Sequence, residues 1–410
     1  MIQLKPATLA VVAAVTAALI GYVALEFEFP VMLGKENLLD FDIFHLVSTM
    51  IAEGNLSAAY AVETFLPRQA ELPGFNGFEM FWSYPPFFNL VVAPLSLLPA
   101  APSYILFMVV TLGFYLWVVR TLAGPAFHTI LALFLPLTLL IIRSGQNSFL
   151  TGGLIGLTCV LALRQSRWSG VPLGLMAIKP HLALGVGIWS LLDRRWGMAV
   201  QSFAVIGLFA ALTTLVFGTG IWATALVGIS ETADALQDGR FPLFRMTSLY
   251  AFGLSFGFGH AVALSLHVAG VAAALGALVL LSRAKLPPRV LMGAGVFVSA
   301  LISPYNYDYD LAMLAAAACL LIDTVMRYAS KAEQYTIAAV ILIIGTYGFS
   351  LTAIVDFLIN DDFAQPVSLS GPVLFVGGIV LFRVVWRSRD AAQAAPHAHP
   401  STAKAGFNPT

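Results

Sequence analysis

Two aspartates one residue apart, Asp40 and Asp42, head the stretch NLLDFDIFHLVSTMIAEG, just after an apolar run. A carboxylate near the edge of a low-dielectric phase has its proton affinity raised toward the working range of a general base. Either residue could then take a proton from a substrate hydroxyl. The plain alternative is a helix cap. Asp40 precedes the apolar-periodic set Phe41, Phe44, Leu46, Val47 and Ile51, and carboxylates favour helix N-termini. On a helix the two side chains diverge by about 200°, so one would face a site and the other would not. Only an extended backbone would point both to one side.

Four other stretches place polar groups where an apolar chain should not. In GLMAIKPHLALGV, Lys179 lies deep in an apolar segment, where a charge costs at least about 2.5–3.5 kcal/mol. Pro180 invites a kink beside it, and His181 adds a polar neighbour. An ammonium is a compact partner for a phosphate. In IIRSGQNSFLTGG, Arg143, Gln146 and Asn147 interrupt a long apolar run and must be paired, line a cavity or form a plain loop. In EMFWSYPPFFNLVVAPL, Trp82 and Tyr84 suit either an interfacial aromatic belt or a platform for a sugar ring. In ISPYNYDYDLAML, Tyr305, Tyr307 and Tyr309 alternate with Asn306, Asp308 and Asp310, the mixture of aromatic faces and acceptor oxygens that a sugar site needs.

These residues must be positioned by a membrane protein. The chain has 410 residues, 59% of them hydrophobic and 10% charged, against about 25% charged in soluble domains. We expect an all-α polytopic membrane protein, with one integral domain over 1–386 and an aperiodic, disordered cytoplasmic tail over 387–410. Lys+Arg and Asp+Glu are equal at 21 each, which gives no reason for a nucleic-acid partner. Cys159 and Cys319 lie inside apolar runs without metal spacing, His397 and His399 sit in the tail, and no metal site is assigned. About twelve spans are expected, at 7–25, 86–99, 103–119, 126–142, 147–163, 171–192, 197–217, 260–281, 290–302, 311–326, 335–354 and 371–386, some short or re-entrant. The first is read as an uncleaved helix rather than a signal peptide, because VALEFEF has no small-residue cleavage site.

Placing the N-terminus in the cytoplasm puts Lys5, Arg194, Arg195, Arg283, Lys285, Arg289, Arg327, Lys331 and Arg383 inside, together with the C-terminus. The loops 26–85, 218–259, 303–310 and 355–370 then face outward and hold 17 of the 21 acidic residues. Arg164 and Arg167 fall outside unless the segments around them are re-entrant. There is no internal repeat and no glycine-rich phosphate loop.

Five stretches in order, LLDFDIFHLVSTMIAEGNLSAAY, WSYPPFFNLVVAPLSLLP, RSGQNSFLTGGLIG, GVPLGLMAIKPHLAL before DRRW, and SPYNYDYDLAML, resemble glycosyltransferase family 87. These are the polyprenyl-phosphate-sugar-dependent, mannosyltransferase-like membrane proteins of the C glycosyltransferase superfamily. The resemblance runs from about Asp40 to Leu314 and rests on the order of the motifs, none of which is specific alone. It implies a hexosyltransferase with its active site at the outer face of a bacterial-type inner membrane. A polyprenyl-phosphate sugar would be the donor and a cell-envelope glycolipid or glycan the acceptor. The family's acidic base falls on Asp40, with Asp42 as its neighbour, and the Lys-Pro pair on Lys179 and Pro180. His45 stands where relatives often carry a second aromatic, a departure that bears on acceptor choice. Lys179, Arg143, Gln146 and His181 are then expected at the donor phosphate, and His45, Trp82, Tyr84, Tyr305, Tyr307, Asp308 and Asp310 around the sugar and acceptor. No cofactor is expected. Asp40-Phe41-Asp42 looks like a metal-binding DxD, yet a lipid monophosphate leaving group needs only Lys or Arg, and both readings stand. The rival class is a transporter or flippase of a polyprenyl-linked or amphipathic molecule, against which no second half echoes the Lys-Pro break.

Overall fold

The structure is a computed structural model that describes residues 38–75, 77–284, 286–358 and 366–394, together with Thr16. The expected first span at 7–25 lies outside the described residues. The described chain is helical throughout, with a single isolated antiparallel bridge between Met246 and Tyr307. The helices are α1 (Asp40–Ala52), α2 (Val62–Ala70), α3 (Phe87–Val92), α4 (Ala100–Ala123), α5 (Phe127–Ser144), α6 (Ser148–Leu163), α7 (Gly170–Leu175) and α8 (Leu184–Leu192). They continue as α9 (Trp196–Phe217), α10 (Ile221–Gln237), α11 (Leu249–Ser255), α12 (His260–Arg283), α13 (Pro288–Ile302), α14 (Leu314–Tyr328), α15 (Lys331–Leu358) and α16 (Ser370–Ala394).

Among the described residues, five apolar helical segments are long enough to cross a membrane: Ala100–Ser144, Trp196–Phe217, His260–Arg283, Asp308–Tyr328 and Ser370–Arg389. Four shorter apolar ones are Phe87–Leu97, Ser148–Leu163, Pro180–Leu192 and Pro288–Ile302. The expected twelve full crossings are thus not matched, and the differences have local causes. The 103–119 and 126–142 segments do form two helices, α4 and α5, which fold back on each other so that the Tyr104 hydroxyl donates to the Ile142 carbonyl. The turn between them falls at Gly124, whose φ of +52° no continuing helix adopts, and at the following Pro125. The 171–192 segment is split: α7 ends, a 3₁₀ turn runs Met176–Ile178, Lys179 is extended, and a second turn runs Pro180–Ala183 before α8. Residues before a proline avoid the helical region, which is why the break falls at Lys179. At the other end, α16 carries on eight residues past Trp386 to Ala394. That corrects the aperiodic tail placed at 387–410, because RSRDAAQA is rich in good helix formers. Residues 395–410 lie outside the described residues.

Three helices set the long axis of the site region. The C-terminal end of α5, the residues just before α14 and the C-terminal half of α15 meet at one end of the bundle. Gly348 allows this approach: a Cβ there would overlap Asp308 Oδ2 and lie 3.4 Å from Arg245 Cγ. The N-terminal end of α15 at Lys331 is 17 residues away, about 25 Å along the helix.

Candidate active site

The N-terminus of α1 brings the first functional group. Phe41, Ile43, Phe44, Leu46, Val47 and Met50 are buried and fix the helix against the bundle. Asp40 and Asp42 fall in its first turn, on different sides. Asp42 Oδ2 accepts the Leu38 N–H at 2.5 Å, so its carboxylate ties the residues before the helix back onto its first turn. Asp40 instead receives a hydrogen bond from the Gln146 amide and lies within electrostatic reach of Arg245, Lys179 and Asp308. Burial pushes the Asp40 carboxyl up to about 6, against the opposing pull of Arg245, Gln146 and Lys179. Asp42 is thus turned onto the Leu38 N–H and Asp40 toward Gln146. Among the described residues no three His, Cys, Asp or Glu side chains converge as a metal-binding group.

Gln146 is placed by the turn that joins α5 to α6. Gly145 closes α5 in the left-handed region at φ +69°, and a Cβ there would sit 2.6 Å from Phe41 Cβ and 3.3 Å from the Leu38 carbonyl oxygen. Glycine therefore lets the turn press against the start of α1, which sets Gln146 beside Asp40. The Tyr84 hydroxyl donates to Gln146 Oε1 at 3.1 Å. Tyr84 is itself held from behind: the Tyr60 hydroxyl donates to its carbonyl, Asn89 donates to the Tyr60 hydroxyl, and Trp82 Nε1 donates to Asn89.

The segment Asp308–Met313 is a 3₁₀ turn, in which residues two apart point about 240° from one another. Its two carboxylates accordingly reach two different cations. Lys179 Nζ lies 2.7 Å from Asp310 Oδ1, both side chains buried, and is also 5.2 Å from the Tyr84 ring centre and 5.5 Å from that of Tyr309. Asp310 Oδ2 accepts the Tyr307 N–H at 3.2 Å. Arg245 donates Nη2 and Nε to Asp308 at 3.0 and 3.2 Å and lies over the stacked rings of Tyr307 and Tyr309. Asp308 is 1% exposed while the Arg245 side chain keeps 21%, so the guanidinium forms the open side of the pair.

The expected site residues divide accordingly. Asp40, Gln146, Lys179, Tyr84, Tyr307, Asp308 and Asp310 come together, and His181 lies within electrostatic reach of Asp310 and Lys179. Arg143 sits in the last turn of α5, three residues before Gln146, with a half-buried side chain. Trp82 is 2% exposed and packed between Phe44, Tyr84 and Phe88, so it supports Tyr84 rather than offering a face to a sugar. His45 turns away and bonds the Leu98 carbonyl. Tyr305 is 51% exposed beside Tyr250, away from the cations. Tyr309, noted in the alternating stretch but not assigned to the site, joins it, and one member escaped the sequence reading altogether: Arg245, a lone arginine in FPLFRMTSLY. The only signal for Arg245 was charge balance, since the loop it must meet carries two aspartates.

Three carboxylates thus share two cations, with Asp40 at the rim. Such a group can accept a proton from a hydroxyl and hold an anion beside it. The family model for glycosyltransferase family 87 matches residues 82–304, which carry Tyr84, Gln146, Lys179 and Arg245. No curated protein and no solved structure gives a significant match. With more than half of its length matched, the chain belongs to glycosyltransferase family 87 and is a membrane glycosyltransferase.

Proposed function

We propose that this enzyme moves a hexose, mannose in the first instance, from a polyprenyl-phosphate donor to a glycolipid or glycan of the cell envelope. The reaction takes place at the outer face of a bacterial-type inner membrane, with both termini in the cytoplasm. The observation that carries the reading is Asp40, a carboxylate hydrogen-bonded by Gln146 and set beside the buried Lys179–Asp310 pair and the partly exposed Arg245–Asp308 pair. In this scheme the acceptor oxygen attacks C1 of the sugar as its proton passes to Asp40. The bond from C1 to the phosphate oxygen breaks, and its electron pair stays on the polyprenyl phosphate. Negative charge on that phosphate grows as the bond breaks. Lys179 and Arg245 are fixed by Asp310 and Asp308 in advance, so they favour the transition state over the ground state. Tyr307 and Tyr309, stacked at 5.2 Å, offer the aromatic surface for a sugar ring. No cofactor takes part in this scheme, and Lys179 and Arg245 serve where a divalent ion would otherwise balance the leaving group. Family membership favours this class over a transporter.

The test is transfer itself. Purified protein is incubated with radiolabelled polyprenyl-phosphate mannose and an envelope acceptor extract, with and without a metal chelator. Label should enter the acceptor in both cases and fail to do so with Asp40→Asn. Transfer from a nucleotide sugar with none from the lipid donor would overturn the donor assignment.

A further inference from the structure

A cavity of about 660 Å³ lies between α5, α14, α15 and α16, apart from the cluster around Asp40. That volume falls in the range of ligand pockets, about 300–1,000 Å³. Its walls include Phe134, Leu321, Ile341 and Leu374. Its deep end is closed by Leu314, four residues after Asp310, and Ile344, four before Gly348, so it stops about one turn short of the active site. Its other end is polar. His128 from the first turn of α5 and Lys331, Gln334 and Tyr335 from the first two turns of α15 form the lip. Lys331 is exposed, with Nζ 3.3 Å from Gln334 Oε1, and no carboxylate lines the cavity. The nearby Glu333 is taken up by Arg387.

We propose that this cavity holds one acyl chain of an anionic glycerophospholipid, with the headgroup phosphate at Lys331. Three observations support that occupant. The walls are apolar side chains that only a hydrocarbon would cover without stranding polar groups. The lip carries a cation and no opposing carboxylate, and basic pockets between membrane helices suit lipid phosphates. The lip also lies about 25 Å along α15 from Gly348 and the Asp308–Arg245 pair. With the donor phosphate beside Lys179, as proposed above, the donor would reach this mouth only with the wrong end of its chain, so the cavity is separate from the catalytic site on that reading.

The full-length protein in mixed phosphatidylglycerol and phosphatidylcholine nanodiscs would be photolabelled with probes of each lipid carrying a diazirine near the acyl terminus. Adducts should map to the cavity faces of α14 and α15, with phosphatidylglycerol favoured by about five-fold, the effect of one near-surface lysine. Lys331→Glu, on the exposed lip, should abolish the preference while leaving the fold unchanged. Ala318→Trp, which fills the cavity, should remove the adducts, and its melting temperature reports whether it has folded. Equal labelling by both lipids that ignores Lys331→Glu would overturn the proposal. So would displacement of the phosphatidylglycerol adducts by polyprenyl phosphate, which would give the cavity to the donor.

Discussion

Lys179 and Asp310, 131 residues apart in the chain, meet as a buried ion pair with Nζ 2.7 Å from Oδ1. Neither charge is affordable alone in this apolar setting, and each accounts for the other. Lys179→Met would leave Asp310 buried beside the Tyr307 N–H without its cation. Breaking a buried pair by removing one partner costs about 3–5 kcal/mol. The single variant should melt well below the wild type in detergent, whereas Lys179→Met with Asp310→Asn should recover most of that loss. Activity should stay lost in both. A double variant that regains transfer would make the pair a structural brace alone.

Asp40 and Asp42 should separate in function as they do in direction. Asp40→Asn keeps the shape beside Gln146 and removes the proposed base, so turnover should fall by about 10²–10⁴-fold. Asp42→Asn retains an oxygen for the Leu38 N–H and should transfer sugar at close to the normal rate. Asp42→Ala gives up that bond and should cost about 1.5–3 kcal/mol of stability, the worth of a hydrogen bond to a charged group. Steady-state rates and thermal melts of the three variants check this. A dead Asp42→Asn beside a working Asp40→Asn would exchange the roles.

The carboxyl of Asp40, raised by burial from 3.8 to about 6, predicts an acid limb. In the proposed scheme the carboxylate form is the base, so kcat/KM should fall as pH drops through about 6 and level off above it. Asp42, also raised by burial to about 6, does not touch the cations, and Asp42→Asn should leave the limb in place. Stability should show the opposite sign. A carboxyl whose folded-state pKa exceeds its unfolded value weakens the fold as pH rises from about 4 to about 6. Asp40→Asn should therefore melt above the wild type at pH 7.5, with the gap closing toward pH 4. A wild-type rate flat from pH 5 to 8 would remove Asp40 as the titrating base.

Topology offers a check independent of chemistry. Ser57, exposed in the turn Leu56–Ala59, follows α1, whose first turn is at the site, whereas Lys331 starts the helix whose other half meets Asp308. A membrane-impermeant thiol reagent applied outside intact cells should label Ser57→Cys and miss Lys331→Cys. Labelling in the reverse sense would put the base in the cytoplasm and overturn the outer-face assignment.

Hydropathy made most of the helices legible. Trp196–Phe217 and His260–Arg283 fall within a residue or two of the expected spans, because their apolar runs are uninterrupted. The break at Lys179 was legible too, because proline acts on its immediate neighbour. The partner of Lys179 was not: a pairing across 131 residues leaves no trace in local composition. Trp82 and Tyr84 looked alike, since nothing in WSY tells which ring turns inward to Asn89 and which outward to Gln146. His45 and Tyr305 have site-like chemistry, but the directions of their elements carry them elsewhere. Arg245 was hidden because a single loop arginine is ordinarily solvated.

Arg245 gives the sharpest remaining test of how the leaving group is held. Its guanidinium donates Nε and Nη2 to Asp308, the side chain keeps 21% exposure, and Asp40 lies within its electrostatic reach. A planar fork can hold Asp308 with one edge and offer its remaining N–H groups to a phosphate with another, which an ammonium cannot do. Arg245→Lys keeps the charge but must choose between the two partners. It should fold, bind the lipid donor almost normally and lose kcat by more than ten-fold, because the phosphate, a monoanion in the donor, gains its second charge as the bond to C1 breaks. Arg245→Met strands Asp308 at 1% exposure and should lower the melting temperature as well. Asp308→Asn in the Arg245→Met background should restore the melt without restoring transfer. If Arg245→Lys instead raised KM for the donor and left kcat alone, Arg245 would be a docking contact for the ground state, and stabilisation of the departing phosphate would rest on Lys179.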